Sequence, residues 1–155
     1  MDAHCDLSLN AIFKHGTGEQ KERYLPPGIE GTRIGALAIT EPNAGSDAGG
    51  TQTTAVLENG EWVINGSKCF ITNASYAKYV TITAVTDKGK GTRGISAILV
   101  PTDAPGFTIR AAYEKMGLHG SNTTELFFDN VRVPEENLVG VRGEGFKQFL
   151  KVLDG

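Results

Sequence analysis

The chain has 155 residues, 39% hydrophobic and 21% charged, with a formal charge of −3. That length supports one domain with a real core, burying roughly 68–70% of the surface its unfolded chain exposes. The mild acidity argues against nucleic acid as the main partner, because phosphate binding needs a basic face, and no apolar run approaches the ~20 residues of a membrane helix.

In chain order, residues 3–15 form a plausible helix with Leu9, Ile12 and Phe13 on one side, and Gly16 is a suitable stop. Thr17-Gly18-Glu19-Gln20 matches a capping box, which predicts a short helix through Tyr24 and Leu25 that Pro26-Pro27 ends. From Ile34 the apolar period changes to 2. Gly35–Thr40 reads as a small-residue strand. Thr51–Glu58 alternates up to Asn59-Gly60, a hairpin turn, and Glu61–Ile64 returns. Asn65-Gly66 is expected to make a second such turn, with Lys68–Thr72 as the third strand of a meander. Tyr79–Val85 and Gly94–Val100 are rich in β-branched residues and flank a polar loop, Asp87–Arg93. Phe107–Arg110, Glu125–Phe128 and Val131–Val133 follow. Gly145–Leu153 then starts an amphipathic helix with Phe146, Phe149, Leu150 and Leu153 on one face.

About eight strands at near-regular spacing, with no helical crossover between them, predict a mainly β domain. A small antiparallel barrel or sandwich is expected, with short helices at the N-terminus and a truncated helix at the C-terminus. The first residues read as the middle of a helix and the last helix stops early, so a domain of a longer polypeptide is expected. No secretory pattern opens the chain. The Asn-x-Ser/Thr triplets at Asn65, Asn73 and Asn122 are therefore read as chance matches to a glycosylation pattern, and Cys5 and Cys69 as reduced thiols.

Self-sufficient catalytic motifs are missing. His4, His15 and His119 stand at no metal-ligand interval from Cys, Asp or Glu. Gly45-Ser46-Asp47 lacks the surroundings of a nucleophile elbow. No GxGxxG follows a strand and opens a helix, and Gly140–Gly145 has glycine spacing in the wrong context. What remains is the loop Thr40–Asp47, dense in backbone N–H groups and small residues that permit close approach of a flat ligand. By itself it is equally a well-ordered turn.

Four ordered segments carry a resemblance. Leu37–Asp47 (LAITEPNAGSD) closely resembles the signature of the acyl-CoA dehydrogenase family. Trp62–Asn73 (WVINGSKCFITN) looks like that family's second flavin segment, and Gly94–Val100 with Pro105-Gly106 like its core strand and turn. Lys115–Pro134 looks like its domain-closing stretch, and His15–Leu25 like the end of its N-terminal helical domain. The resemblance covers essentially the whole chain. It implies the end of a helical domain at 1–30, the family's middle β domain at 31–138, and a connection with the start of a C-terminal helical domain at 139–155.

The resemblance further implies FAD held by Leu37, Ala38, Ile39, Thr40, Gly45, Ser46, Phe70, Ile71 and Thr72, with Ser46 also bordering acyl-CoA. Thr72 would lie near the reactive flavin nitrogen, and Phe70 would shield one flavin face where many relatives carry Trp. His119 stands where many relatives have Arg. The implied reaction is α,β-dehydrogenation of a fatty acyl thioester, a carboxylate taking the proton beside the carbonyl and flavin taking a hydride. In the family that base is a Glu from the C-terminal domain; no residue here matches it, and Glu41 reads as structural. Electron-transferring flavoprotein as acceptor, a homo-oligomeric (tetrameric) full-length protein, and a bacterial cytoplasm or mitochondrial matrix complete the expectations. The isolated chain is expected to be inactive, to retain FAD weakly and to self-associate. An acyl-CoA oxidase-type relative and a non-catalytic β-barrel binding module are the alternatives.

Overall fold

The lead-in is helical, as the apolar spacing predicts. The computed structural model describes residues 3–153, in which wide π-type turns over Ala3–Leu9 run into helix α1 (Asn10–His15). Gly16 closes α1, its N–H donating to the Ile12 carbonyl. Helix α2 (Gly18–Ile29) starts at the predicted capping box: Gln20 N–H donates to Thr17 Oγ1 at 3.2 Å, and Thr17 N–H donates to Gln20 Oε1 at 3.0 Å. Contrary to expectation, Pro26-Pro27 do not end α2. A proline loses its own donor, but its carbonyl still accepts. Glu30 N–H donates to Pro26 O, and the N–H groups of Thr32 and Arg33 to Pro27 O. Placed in the last turn, the two prolines cost only backward bonds.

Eight strands follow: β1 (Gly35–Ala38), β2 (Thr54–Glu58), β3 (Glu61–Thr72), β4 (Tyr79–Val85), β5 (Ile95–Pro101), β6 (Phe107–Ile109), β7 (Thr123–Pro134) and β8 (Leu138–Val139). Their order in space is β6-β7-β3-β2-β4-β5-β8. β1 lies parallel to the first part of β4, and β2 meets the end of β4 in parallel at Thr54 and Val85. The remaining pairings are antiparallel. The mainly β architecture is as predicted, with β1 adding a parallel element to the expected antiparallel body. Helix α3 (Gly145–Leu153) packs against β5 and α1.

Two long strands replace four expected short ones. Asn65-Gly66 makes no turn: β3 continues through it, and both halves pair with β7, from Glu61 opposite Pro134 to Thr72 opposite Thr123. Likewise 125–128 and 131–133 are parts of the single strand β7. The register slips twice. Between Ile64–Val131 and Gly66–Phe128, β7 takes three steps to two in β3; between Lys68–Leu126 and Ile71–Thr124, β3 takes three to two in β7. These are compensating β-bulges, each adding twist and re-aiming a side chain.

The sheet folds over a core that includes Trp62, Ile64, Ile82, Ile98, Leu126 and Val131. Its other face is covered by the helices through Leu9, Ile12, Tyr24 and Phe149, packed on Tyr79 and Leu99. His4 pins the lead-in to this layer. Its Nδ1 accepts from Gly35 N–H at 3.1 Å, which leaves Nε2–H to donate to Gly28 O at 3.0 Å. Cys5 is exposed and Cys69 buried, both free thiols. No helix among the described residues is long and apolar enough to cross a membrane.

Candidate functional site

Two segments far apart in sequence meet where β1 and β3 end. Past β1, Thr40 leads into a tight turn in which Glu41 N–H donates to Ala44 O at 3.0 Å and Ala44 N–H donates to Glu41 O at 3.1 Å. On β3, the second bulge forces Phe70 to φ +57°, a conformation uncommon outside glycine, asparagine and aspartate. The extra residue turns the Phe70 ring outward, where it is 66% exposed, while Cys69 and Ile71 on either side stay buried. The Cys69 N–H donates to Thr40 O at 2.9 Å and joins the two segments.

Between them lies a cleft of about 160 Å³ lined by Leu37, Ile39, Thr40, Phe70, Ile71 and Thr72, with Ala3, Leu7 and Leu153 from the helical flanks. Six of the nine anticipated ligand residues therefore share one depression. Ala38 does not: strand alternation points it into the inner core, fully buried. Gly45 and Ser46 stand on the exposed loop beyond the Glu41–Ala44 turn, away from the lining of this cleft. A larger cleft of about 740 Å³ opens between the start of α2 and residues 135–140. It contains none of the anticipated residues, and Gln20 Nε2–H groups already bridge it to the carbonyls of Glu136 and Leu138 at 2.9 Å each.

The cleft lining is apolar apart from two threonines, and it carries no carboxylate among the described residues. Glu41, the acid nearest in sequence, is engaged elsewhere. It is 5% exposed and accepts from Gln52 N–H at 2.7 Å, Thr53 N–H at 3.0 Å and the Lys68 ammonium at 2.8 Å. Burial pushes the Glu41 carboxyl up, but Lys68 and the Thr53 and Gln52 donors outweigh it and hold it below the ordinary glutamate value. Burial draws Lys68 down to about 8 against the opposing pull of Glu41.

Lys68 escaped notice in the sequence, although a signal existed. Trp62 and Ile64 mark the inward positions of β3, and a lysine on that same parity predicts a buried acid to meet it. Tyr113 was missed as well. Its ring lies 5.4 Å from that of Phe70, and its hydroxyl donates to Glu125 Oε1 at 2.7 Å. Desolvation and the Glu125 carboxylate push that hydroxyl up to about 12, so it stays protonated at neutral pH. His119, exposed, donates from Nε2 to its own loop at Lys115 O (2.7 Å).

The family model "Acyl-CoA dehydrogenase, middle domain" matches residues 36–131. A probable acyl-CoA dehydrogenase, YngJ, of Bacillus subtilis is 55% identical over 154 residues, 99% of this chain and 40% of that protein. The butyryl-CoA dehydrogenase structure from Megasphaera elsdenii superposes with a TM-score of 0.96 at 46% identity, covering 99% of this chain and 40% of that one. A chain from the structure of the electron transferring flavoprotein of Acidaminococcus fermentans, studied for flavin-based electron bifurcation, gives 0.97 at 47% identity, again over 99% and 40%. The chain thus spans about 40% of the length of the relatives it matches.

Proposed function

Since this chain belongs to the acyl-CoA dehydrogenase family and carries its middle domain, we propose that its cleft is one wall of an FAD site serving α,β-dehydrogenation of an acyl-CoA thioester. The carrying observation is the shared cleft of Leu37, Ile39, Thr40, Phe70, Ile71 and Thr72. Its chemistry fits the group: an apolar floor suits a flat ring system, and the Thr40 and Thr72 hydroxyls offer polar contacts at its edge. FAD, when bound, supplies the hydride-accepting chemistry. The chain's own residues bind, orient and exclude water: Phe70 covers one face, Leu37 and Ile39 form the floor, and Thr72 orients the ring edge. Ser46, on the exposed loop with Gly45, borders the acyl-CoA in this reading.

In this reading the proton-abstracting base comes from outside the cleft lining, which among the described residues carries no carboxylate. The flanking helical segments, up to residue 30 and from 139 onward, belong in this reading to neighbouring helical domains of the whole protein. That protein works as a homo-oligomer and passes electrons to an electron-transferring flavoprotein, a reading that the similarity to the Acidaminococcus chain supports. The chain by itself neither turns over acyl-CoA nor holds FAD tightly.

Titration of the intact protein with FAD, followed by anaerobic addition of butyryl-CoA, tests the proposal. Quenched flavin fluorescence and then bleached flavin absorbance are expected. An intact protein that binds no FAD overturns it.

A further inference from the structure

Lys68, on β3, reaches the supports of both cleft segments at once. Its ammonium, fully buried, donates to three oxygens: Ile39 O at 3.0 Å, Glu41 Oε1 at 2.8 Å and Thr83 Oγ1 at 2.8 Å. Ile39 lines the cleft, and Glu41 begins the exposed loop that carries Gly45 and Ser46. The same Glu41 carboxylate takes the N–H groups of Gln52 and Thr53, so the loop's two ends are stapled together at its base. Thr53 closes the connection by donating from Oγ1 to Ser67 O at 3.3 Å, one residue before Lys68. Loop base, cleft floor, β3 and β4 are therefore joined through a single charge pair.

Resting on the flavin reading of this cleft, we infer that the buried Glu41–Lys68 pair is a positioning element for the cofactor, setting the backbone from Ile39 to Thr40 and the span of the 41–53 loop. A neutral pair of similar volume fills the same space but leaves Ile39 O without the lysine donor. Stability and ligand placement are then separable, because buried ion pairs are often replaceable by neutral groups without loss of stability.

The test uses the intact protein with FAD affinity and unfolding temperature measured side by side. Lys68→Met lowers both, since it strands a buried carboxylate. The double variant Glu41→Gln/Lys68→Met removes the stranded charge and recovers part of the unfolding temperature, yet still binds FAD about tenfold more weakly than wild type, the scale of one lost hydrogen bond to a charged group. Glu41→Asp keeps the charge but shortens the reach between Lys68 and Gln52–Thr53, and it weakens FAD binding about fivefold or more. Arg132→Ala, which breaks only exposed pairs with Glu58 and Glu61, leaves affinity unchanged. Wild-type affinity in the folded double variant, or in folded Glu41→Asp should the double fail to fold, overturns the inference while the flavin reading stands. Absence of FAD binding by the wild type overturns the flavin reading first.

Discussion

The dipeptide Asn-Gly occurs twice within eight residues and does two different jobs. At Asn59-Gly60 both residues are left-handed, with φ of +52° and +81°, and β2 turns directly back into β3 with Glu58 opposite Glu61. This is the geometry a two-residue hairpin demands. At Asn65-Gly66 only the glycine has positive φ, at +146°, and the strand runs straight on. Gly66 is needed there for proximity: a Cβ at this position falls 2.5 Å from Thr53 Oγ1 and 2.7 Å from Thr53 Cα. Asn65 is held across the ladder, its Oδ1 accepting from Asn130 N–H at 2.8 Å and its amide donating to Asn130 Oδ1 at 3.3 Å. Local chemistry makes the first pair a turn. Contacts with β7, which bulges opposite it, and with the loop base at Thr53 keep the second inside a continuous strand.

The contrast is open to measurement by urea unfolding at constant slope. Gly66→Ala is expected to cost the most, about 3 kcal/mol, because strained φ and a clash with backbone coincide. An unchanged midpoint would show that Thr53 yields freely. Acid comes next and acts through Glu41, which holds the Gln52–Thr53 segment behind Gly66. The folded-state pKa of Glu41 lies below its ordinary 4.5, so its contribution is present above pH 4.5 and lost as pH falls through the folded value. The wild-type midpoint therefore drops below pH 4.5, with a shallower slope in Glu41→Gln/Lys68→Met; equal slopes refute the assignment. Gly60→Ala, strained in φ but with open space around its Cβ, is expected to lose about 1 kcal/mol. Asn65→Ala gives up two exposed hydrogen bonds and about 0.5–1 kcal/mol. Asn59→Gly changes stability by only about a few tenths of a kcal/mol, since glycine adopts the same turn.

The same division between local and distant causes runs through the molecule. The capping box at Thr17 and Gln20 and the alternating strands around Ile82 and Ile98 were legible, because each depends on neighbours within a few residues. The end of α2 was not legible, because Pro26 and Pro27 forfeit donors while keeping acceptors, and Glu30, Thr32 and Arg33 supply the partners. β8, only Leu138 and Val139, exists through its pairing with Ala97 and Ile98 and has too few residues to show a period. At the cleft, the Leu37–Thr40 and Phe70–Thr72 segments were legible as motifs. The outward aim of Phe70 was not, since it follows from a bulge against Thr124 and Leu126.

By itself the sequence determined the mainly β class, the helical lead-in, the first hairpin and the two segments that build the cleft. Each of these is written in short-range periodicity, capping chemistry or an ordered motif. Tertiary structure alone decided that Ala38 turns inward, that Gly45 and Ser46 stand outside the cleft, and that Lys68 is buried on Glu41. A side chain's final direction depends on which strand lies opposite and in what register, and two compensating slips between β3 and β7 are set by packing across some sixty residues of chain.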